Sequence, residues 1–174
     1  MSINETIYRT TDFHVVVRHD DDPQSPFDFE LGFEFHFGIR RRLETTSANC
    51  PKPNHPNYWF FPVYGYVHSG VALSLKPFSC PWDSGMAGYV AVKRPSRGGE
   101  WRTRKAFLAY LEAYIETFNA YLAGDCYGYE VVETATNEVV DSCWGFIGFD
   151  HTTSGLYEAG KSSCVYFQEA HNKT

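Results

Sequence analysis

An α+β fold, an antiparallel β-sheet with one long amphipathic helix packed on a face, is predicted by three observations. Apolar side chains alternate with polar ones in several short segments, the period of a half-buried strand. Only residues 101–123 carry a clear helical period. The strand-like segments precede and follow that helix without the regular βαβ alternation of a parallel sheet. The 174 residues fall within the usual size of one domain and suffice to bury a core, so a single domain over 1–174 is expected.

The elements follow in order. Residues 12–18 carry the β-branched run Val15-Val16-Val17 and predict a strand. The run Asp20-Asp21-Asp22-Pro23 breaks it; its acids lack the alternate spacing, glycine and closing Glu of a calcium loop, so a solvated turn is expected. From Phe27 to Phe37 every odd position is apolar, and Asp28, Glu30, Glu34 and His36 fall on even ones. That pattern predicts one strand with six apolar side chains on its core face and Gly32 on the polar face. Residues 43–57, with Pro51, Pro53 and Pro56, read as a long loop. Tyr58–Val67 and Val71–Leu75 read as strands around the turn His68-Ser69-Gly70, and Ala87–Lys93 as another.

The helix over 101–123 rests on Phe107, Leu111, Tyr114, Ile115, Phe118 and Leu122, three or four apart, with Gly124 placed to stop it. Tyr127–Glu133 and Val139–Phe146 flank a turn and predict a β-hairpin. Residues 150–174 close the chain, with 154–170 open to a helix or, around Cys164-Val165-Tyr166-Phe167, a strand.

Composition narrows the function classes. Aromatic residues make up 17% of the chain, which favours strands and a thick core and leaves rings over for a partner surface. A net charge of −6 argues against a direct nucleic-acid partner, and the run Arg40-Arg41-Arg42 is too short to reverse that. No apolar run approaches the ~20 residues of a spanning helix, and the first residues lack a secretory pattern, so a cytoplasmic location and no membrane partner are expected. Five widely spaced cysteines without a Cys-x-x-Cys pair fit reduced thiols.

The densest chemistry lies in Pro77-Phe78-Ser79-Cys80-Pro81-Trp82-Asp83-Ser84-Gly85, and Asp141-Ser142-Cys143-Trp144-Gly145-Phe146 repeats its residue types in nearly reversed order. A cysteine-dependent hydrolase would take Cys80 as nucleophile, with His68 to accept its proton and Asp83 as third group. The spacing matches no nucleophile motif, and Ser84 lacks a Gly-x-Ser-x-Gly elbow. His68, Cys80, Cys143 and His151 are metal-ligand types without the short spacings of a metal site, so neither a metal nor another cofactor is expected. The glycines open no phosphate loop. The structural expectation is that Asp83, Ser84 and Asp141 bond to backbone and that Trp82 and Trp144 fill the core beside Cys80 and Cys143.

His68-Ser69-Gly70, Pro77–Gly85, Gly88-Tyr89-Val90, Gly124-Asp125, Tyr127-Gly128-Tyr129 and Asp141–Phe146, in that order, resemble a family of small phage and prophage proteins without an assigned activity. The resemblance covers most of residues 12–148; where that family often has an acid before the His-Ser-Gly turn, this chain has Val67. It implies a phage or mobile-element accessory protein, non-catalytic, that binds and inhibits a host defence protein such as a CRISPR effector or restriction nuclease. A replication or packaging accessory is the other reading that origin implies. The motif residues proposed for binding are Trp82, Asp83, Ser84, Asp125, Tyr127, Asp141 and Trp144.

Overall fold

The computed structural model describes residues 5–29, 31–40, 42–95 and 101–173. In chain order the elements are β1 (Glu5–Arg9), β2 (Phe13–His19), a 3-10 turn (Pro26–Asp28), β3 (Glu34–Ile39), β4 (Leu43–Thr46), β5 (Tyr58–Val67), β6 (Val71–Ser74), β7 (Ser84–Lys93), α1 (Arg104–Ala123), β8 (Cys126–Glu133), β9 (Val139–Ile147) and α2 (Leu156–His171). The class is α+β with antiparallel sheets, but the described residues form two sheets and two α-helices rather than one of each. The chain divides into two compact units, one of residues 26–123 and one made of 1–25 with 124–174.

The unit of residues 26–123 is built on a five-stranded sheet in the order β4-β3-β7-β5-β6. Phe33, Phe35, Phe37 and Ile39 alternate onto one face with Phe61, Val63, Val90 and Val92, and Phe107, Leu111, Ile115 and Phe118 of α1 pack on them. Phe107 and Leu111 are fully buried, each contributing about 1.5–3 kcal/mol of apolar transfer. Asn119 locks the helix to the sheet: its side-chain amide accepts from Leu73 N–H at 2.7 Å and donates to Leu73 O at 2.9 Å. It thereby pairs the outer edge of β6 as a neighbouring strand would.

The expected strand over 27–37 forms only in its second half. Pro26 starts a 3-10 turn, Phe29 is exposed, and β7 offers partners only to Glu34–Phe37. Phe27 still packs on the core, its ring 4.0 Å from that of Phe118, so apolar alternation here serves a turn and a strand in succession. Glu30 lies outside the described residues, as do Gly98 and Gly99. The expected loop over 43–57 begins with β4, which pairs with β3 through Phe37 and Thr45. The helix starts at Arg104 rather than 101, because Thr103 caps it by accepting from Ala106 N–H at 3.1 Å.

The other unit holds the sheet β1-β2-β8-β9, covered on one face by α2. Phe13, Val15 and Val17 lie beside Tyr127, Tyr129 and Val131, and Leu156 and Cys164 of α2 close the core over them. The sequence shows β8 and β9 as a hairpin but gives no sign of β1. Residues 154–170, open between helix and strand, belong mostly to α2.

Candidate functional site

Three connections meet at one end of the five-stranded sheet: the β3–β4 turn, the β5–β6 turn, and the segment that leads into β7. Antiparallel pairing of β7 with both β3 and β5 brings them together, setting Gly85 opposite Gly65 and Gly88 opposite Phe37. Gly88 is required where β7 passes β3, since a β-carbon there would overlap the carbonyl oxygen of His36. At Gly65 the space a β-carbon would take is filled by the end of the Ile39 side chain, which would have to shift to admit one.

Asp83 is the hub of this end. Its backbone oxygen accepts from Val67 N–H at 2.8 Å, which fixes the start of β7 against the end of β5. One carboxylate oxygen, Oδ2, accepts from the Cys80 thiol at 3.8 Å and faces His68 Nδ1 at 3.4 Å. The other, Oδ1, faces Arg40 Nη1 at 3.5 Å. Arg40 also donates through Nη2 to the Trp82 carbonyl, and Ser84 Oγ donates to the Cys80 carbonyl, closing the turn. Arg40 itself sits at φ +43°, the left-handed conformation that turns β3 into β4.

Cys80, His68 and Asp83 therefore converge, as their short separation in sequence suggested, but in an order that does not suit nucleophilic catalysis. In a hydrolase triad the imidazole stands between nucleophile and carboxylate, so that it can take the thiol proton. Here the carboxylate stands between thiol and imidazole, and the described contacts join Cys80 to His68 only through Asp83.

Trp82 departs furthest from expectation: it does not fill the core but stands 83% exposed, with Met86 beside the same connection at 66%. The reason is local. The main chain of Trp82 is held by Arg40 and that of Asp83 by Val67, so the turn is fixed without its indole. A cleft of about 120 Å³ at this end is lined by Gly38, Gly65, Gly85, Arg40, Asp83 and Met86.

In the other unit, Asp141 accepts from Ser163 Oγ, which ties β9 to α2. Trp144 is likewise surface-exposed, at 46%, and lies over Gly128: a β-carbon there would stand 2.6 Å from Trp144 Cδ2 and 2.8 Å from Cys143 O. Cys143 is exposed, whereas Cys126 and Cys164 are buried and burial pushes both thiols up. Tyr127 is raised chiefly by burial and further by the carboxylate of Asp125, and Tyr129 chiefly by burial with Asp141 adding to it. Asp141 and Tyr129, which both meet Ser163, make a structural brace between strand and helix. Asp125 also accepts from Gly148 N–H at 2.8 Å through its backbone oxygen.

Two contributors escaped the sequence reading. Arg40 reads only as part of a basic run, and Met86 carries no motif; both join the site through strand pairing. No group of three or more His, Cys, Asp or Glu placed to hold a metal ion occurs among the described residues. No described helix is long and apolar enough to cross a membrane. No protein family, no curated protein and no solved structure matches the chain.

Proposed function

We propose that this chain is a non-catalytic binding protein, a phage or mobile-element accessory acting in the host cytoplasm, that docks on a host defence protein such as a CRISPR effector or restriction nuclease through the turn carrying Trp82. The observation that carries the docking surface is an indole 83% exposed on a turn whose backbone is held by Arg40 and Val67. Interface hot spots are enriched in Trp and Arg, and a pre-ordered anchor loses little conformational freedom on binding. The net charge of −6 suits a partner whose own surface is basic, as nucleic-acid-handling enzymes are. The phage origin rests on the motif resemblance, and the choice of a defence protein follows from that origin.

The test is expression of wild type and Trp82→Ala in a phage-restricting host, with pull-down of bound host proteins. Relief of restriction and a captured defence protein are expected for wild type. Trp82→Ala should weaken capture at least about thirtyfold, the effect of losing a hot spot of ~2 kcal/mol, at unchanged melting temperature. Equal capture by the variant would remove Trp82 as the anchor.

The second reading is a cysteine-dependent hydrolase, supported by the nearness of Cys80, His68 and Asp83 and opposed by the carboxylate, not the imidazole, facing the thiol. Iodoacetamide labelling with peptide mass spectrometry separates the two. A binding protein should label first at exposed Cys143, with Cys126 and Cys164 protected until unfolding. Labelling of Cys80 faster than Cys143 below neutral pH, abolished by His68→Ala, would favour the hydrolase.

A further inference from the structure

A cavity of about 400 Å³ lies beside β5 in the unit of residues 26–123, within the size range of small-molecule pockets. Its origin is a mismatch of strand lengths. β6 pairs with β5 only from Tyr64 to Val67, so among the described residues the earlier part of β5 has no strand on that edge. Two arginines cover the edge carbonyls instead: Arg94 Nε donates to Tyr58 O at 3.2 Å and Arg104 Nη2 to Phe60 O at 3.3 Å. Pro62 follows with no N–H to leave unpaired. The chain beyond β6 turns away at Leu75, and the space between it, β5 and the first turns of α1 stays unfilled.

The walls are Phe61, Pro62, Leu75 and Leu108, and the remaining lining residues are Arg104 and Lys105. Arg104 is held in place by the Phe61 ring, its guanidinium 4.9 Å from the centroid, and by the Phe60 carbonyl, which leaves N–H groups to spare. Lys105 has no ion pair among the described residues. Further along α1, Glu112 and Glu116 line a neighbouring cleft that shares Leu75, together with Lys76. An apolar slot thus carries two cations, Arg104 and Lys105, and no carboxylate in its own lining.

From this charge arrangement we infer a binding site for a small amphipathic carboxylate, a medium-chain fatty acid or an arylalkyl acid. Its head group sits at Arg104 and Lys105, and its apolar body lies against Pro62, Leu75 and Leu108. This site is independent of the Trp82 turn.

The test is titration of the full chain with sodium decanoate, below its micelle concentration and at low salt, followed by the NMR methyl signals of Leu75 and Leu108. Decanol and decyltrimethylammonium serve as neutral and cationic probes of the same body. Saturable shifts at both leucines are expected with decanoate, weaker binding with decanol and weakest with the cation. The double variant Arg104→Gln with Lys105→Gln should raise the decanoate Kd about tenfold, a loss of ~1.4 kcal/mol shared by two exposed charges. Leu108→Trp should fill the slot and abolish the Leu75 shift. The inference is overturned if decanoate gives no saturable shift, if decanol binds as tightly as decanoate, or if the double variant binds unchanged.

Discussion

His19 shows how far a single residue's behaviour follows from its neighbours. Its Nδ1 faces the Asp21 carboxylate at 3.1 Å and its Nε2 faces the Gly124 carbonyl at 2.8 Å. Both partners only accept, so both ring nitrogens must carry hydrogen for both bonds to form, and that species is the imidazolium. The Asp21 hydrogen bond first, and then that of Gly124, hold the pKa above the ordinary 6.5. A raised folded value means that the stabilisation is fully present below the unfolded value and is lost as pH rises through the folded one. Urea unfolding of wild type and His19→Gln should therefore differ most in mild acid and converge above neutrality, and NMR titration of Asp21→Asn should move His19 back towards 6.5. A difference that grows with pH would refute this. Residue chemistry of this kind was partly legible in the sequence. The grouping of Cys80, His68 and Asp83 follows from their nearness along the chain, but the order of contacts within it does not. The exposure of Trp82 was not legible, because an indole in a dense motif has the composition of core and only the backbone bonds of the turn make it dispensable there.

At the scale of elements, the sequence succeeds where a local period and a partner agree. β5 spans the predicted Tyr58–Val67 because β7 offers it partners from Tyr58 to Tyr66. The alternation of 27–37 outruns its partner and becomes a strand only from Glu34. α2 was ambiguous because Gly160 and the run Cys164–Phe167 oppose a helix by intrinsic preference, and packing on the sheet overrides them. Gly160 exposes that competition. Alanine there would gain about 1 kcal/mol of helix propensity. Its β-carbon, however, would lie 2.8 Å from Val15 Cγ1 and 3.3 Å from Tyr129 Cγ, and both residues are core. Overpacking against fixed side chains costs about 1–3 kcal/mol, so the net effect of Gly160→Ala is destabilising. Chemical denaturation should show a lower midpoint at unchanged m-value, and an exposed control on the same helix, Ser162→Ala, should not. A midpoint raised by Gly160→Ala would mean that α2 does not rest this closely on the sheet.

For the whole chain, the part of the topology that sequence exposes is the hairpins β5–β6 and β8–β9, which join neighbours through short turns, whereas β3–β4 is masked by the proline-rich stretch that follows it. The pairing of β2 with β8 is hidden, because a segment of residues 26–123 separates partners such as Val15 and Val131. That pairing has a consequence for how the chain can be cut. Within the unit of residues 1–25 and 124–174, the two ends left by the intervening segment already adjoin: Asp20 N–H donates to Cys126 O at 2.8 Å, and His19 meets the Gly124 carbonyl. The unit has a core of its own, in which Val15, Val17, Val131, Leu156 and Cys164 are fully buried. Joining Ser25 to Gly124 through a short Gly-Ser linker in place of residues 26–123 should therefore leave a protein that folds. The expected signs are a cooperative urea transition and continued protection of Cys126 and Cys164 from iodoacetamide, with the raised His19 titration retained as a local reporter of the joined ends. A shortened chain that unfolds without cooperativity and labels at both buried thiols would show that this core does not suffice, and that its strands depend on the residues removed.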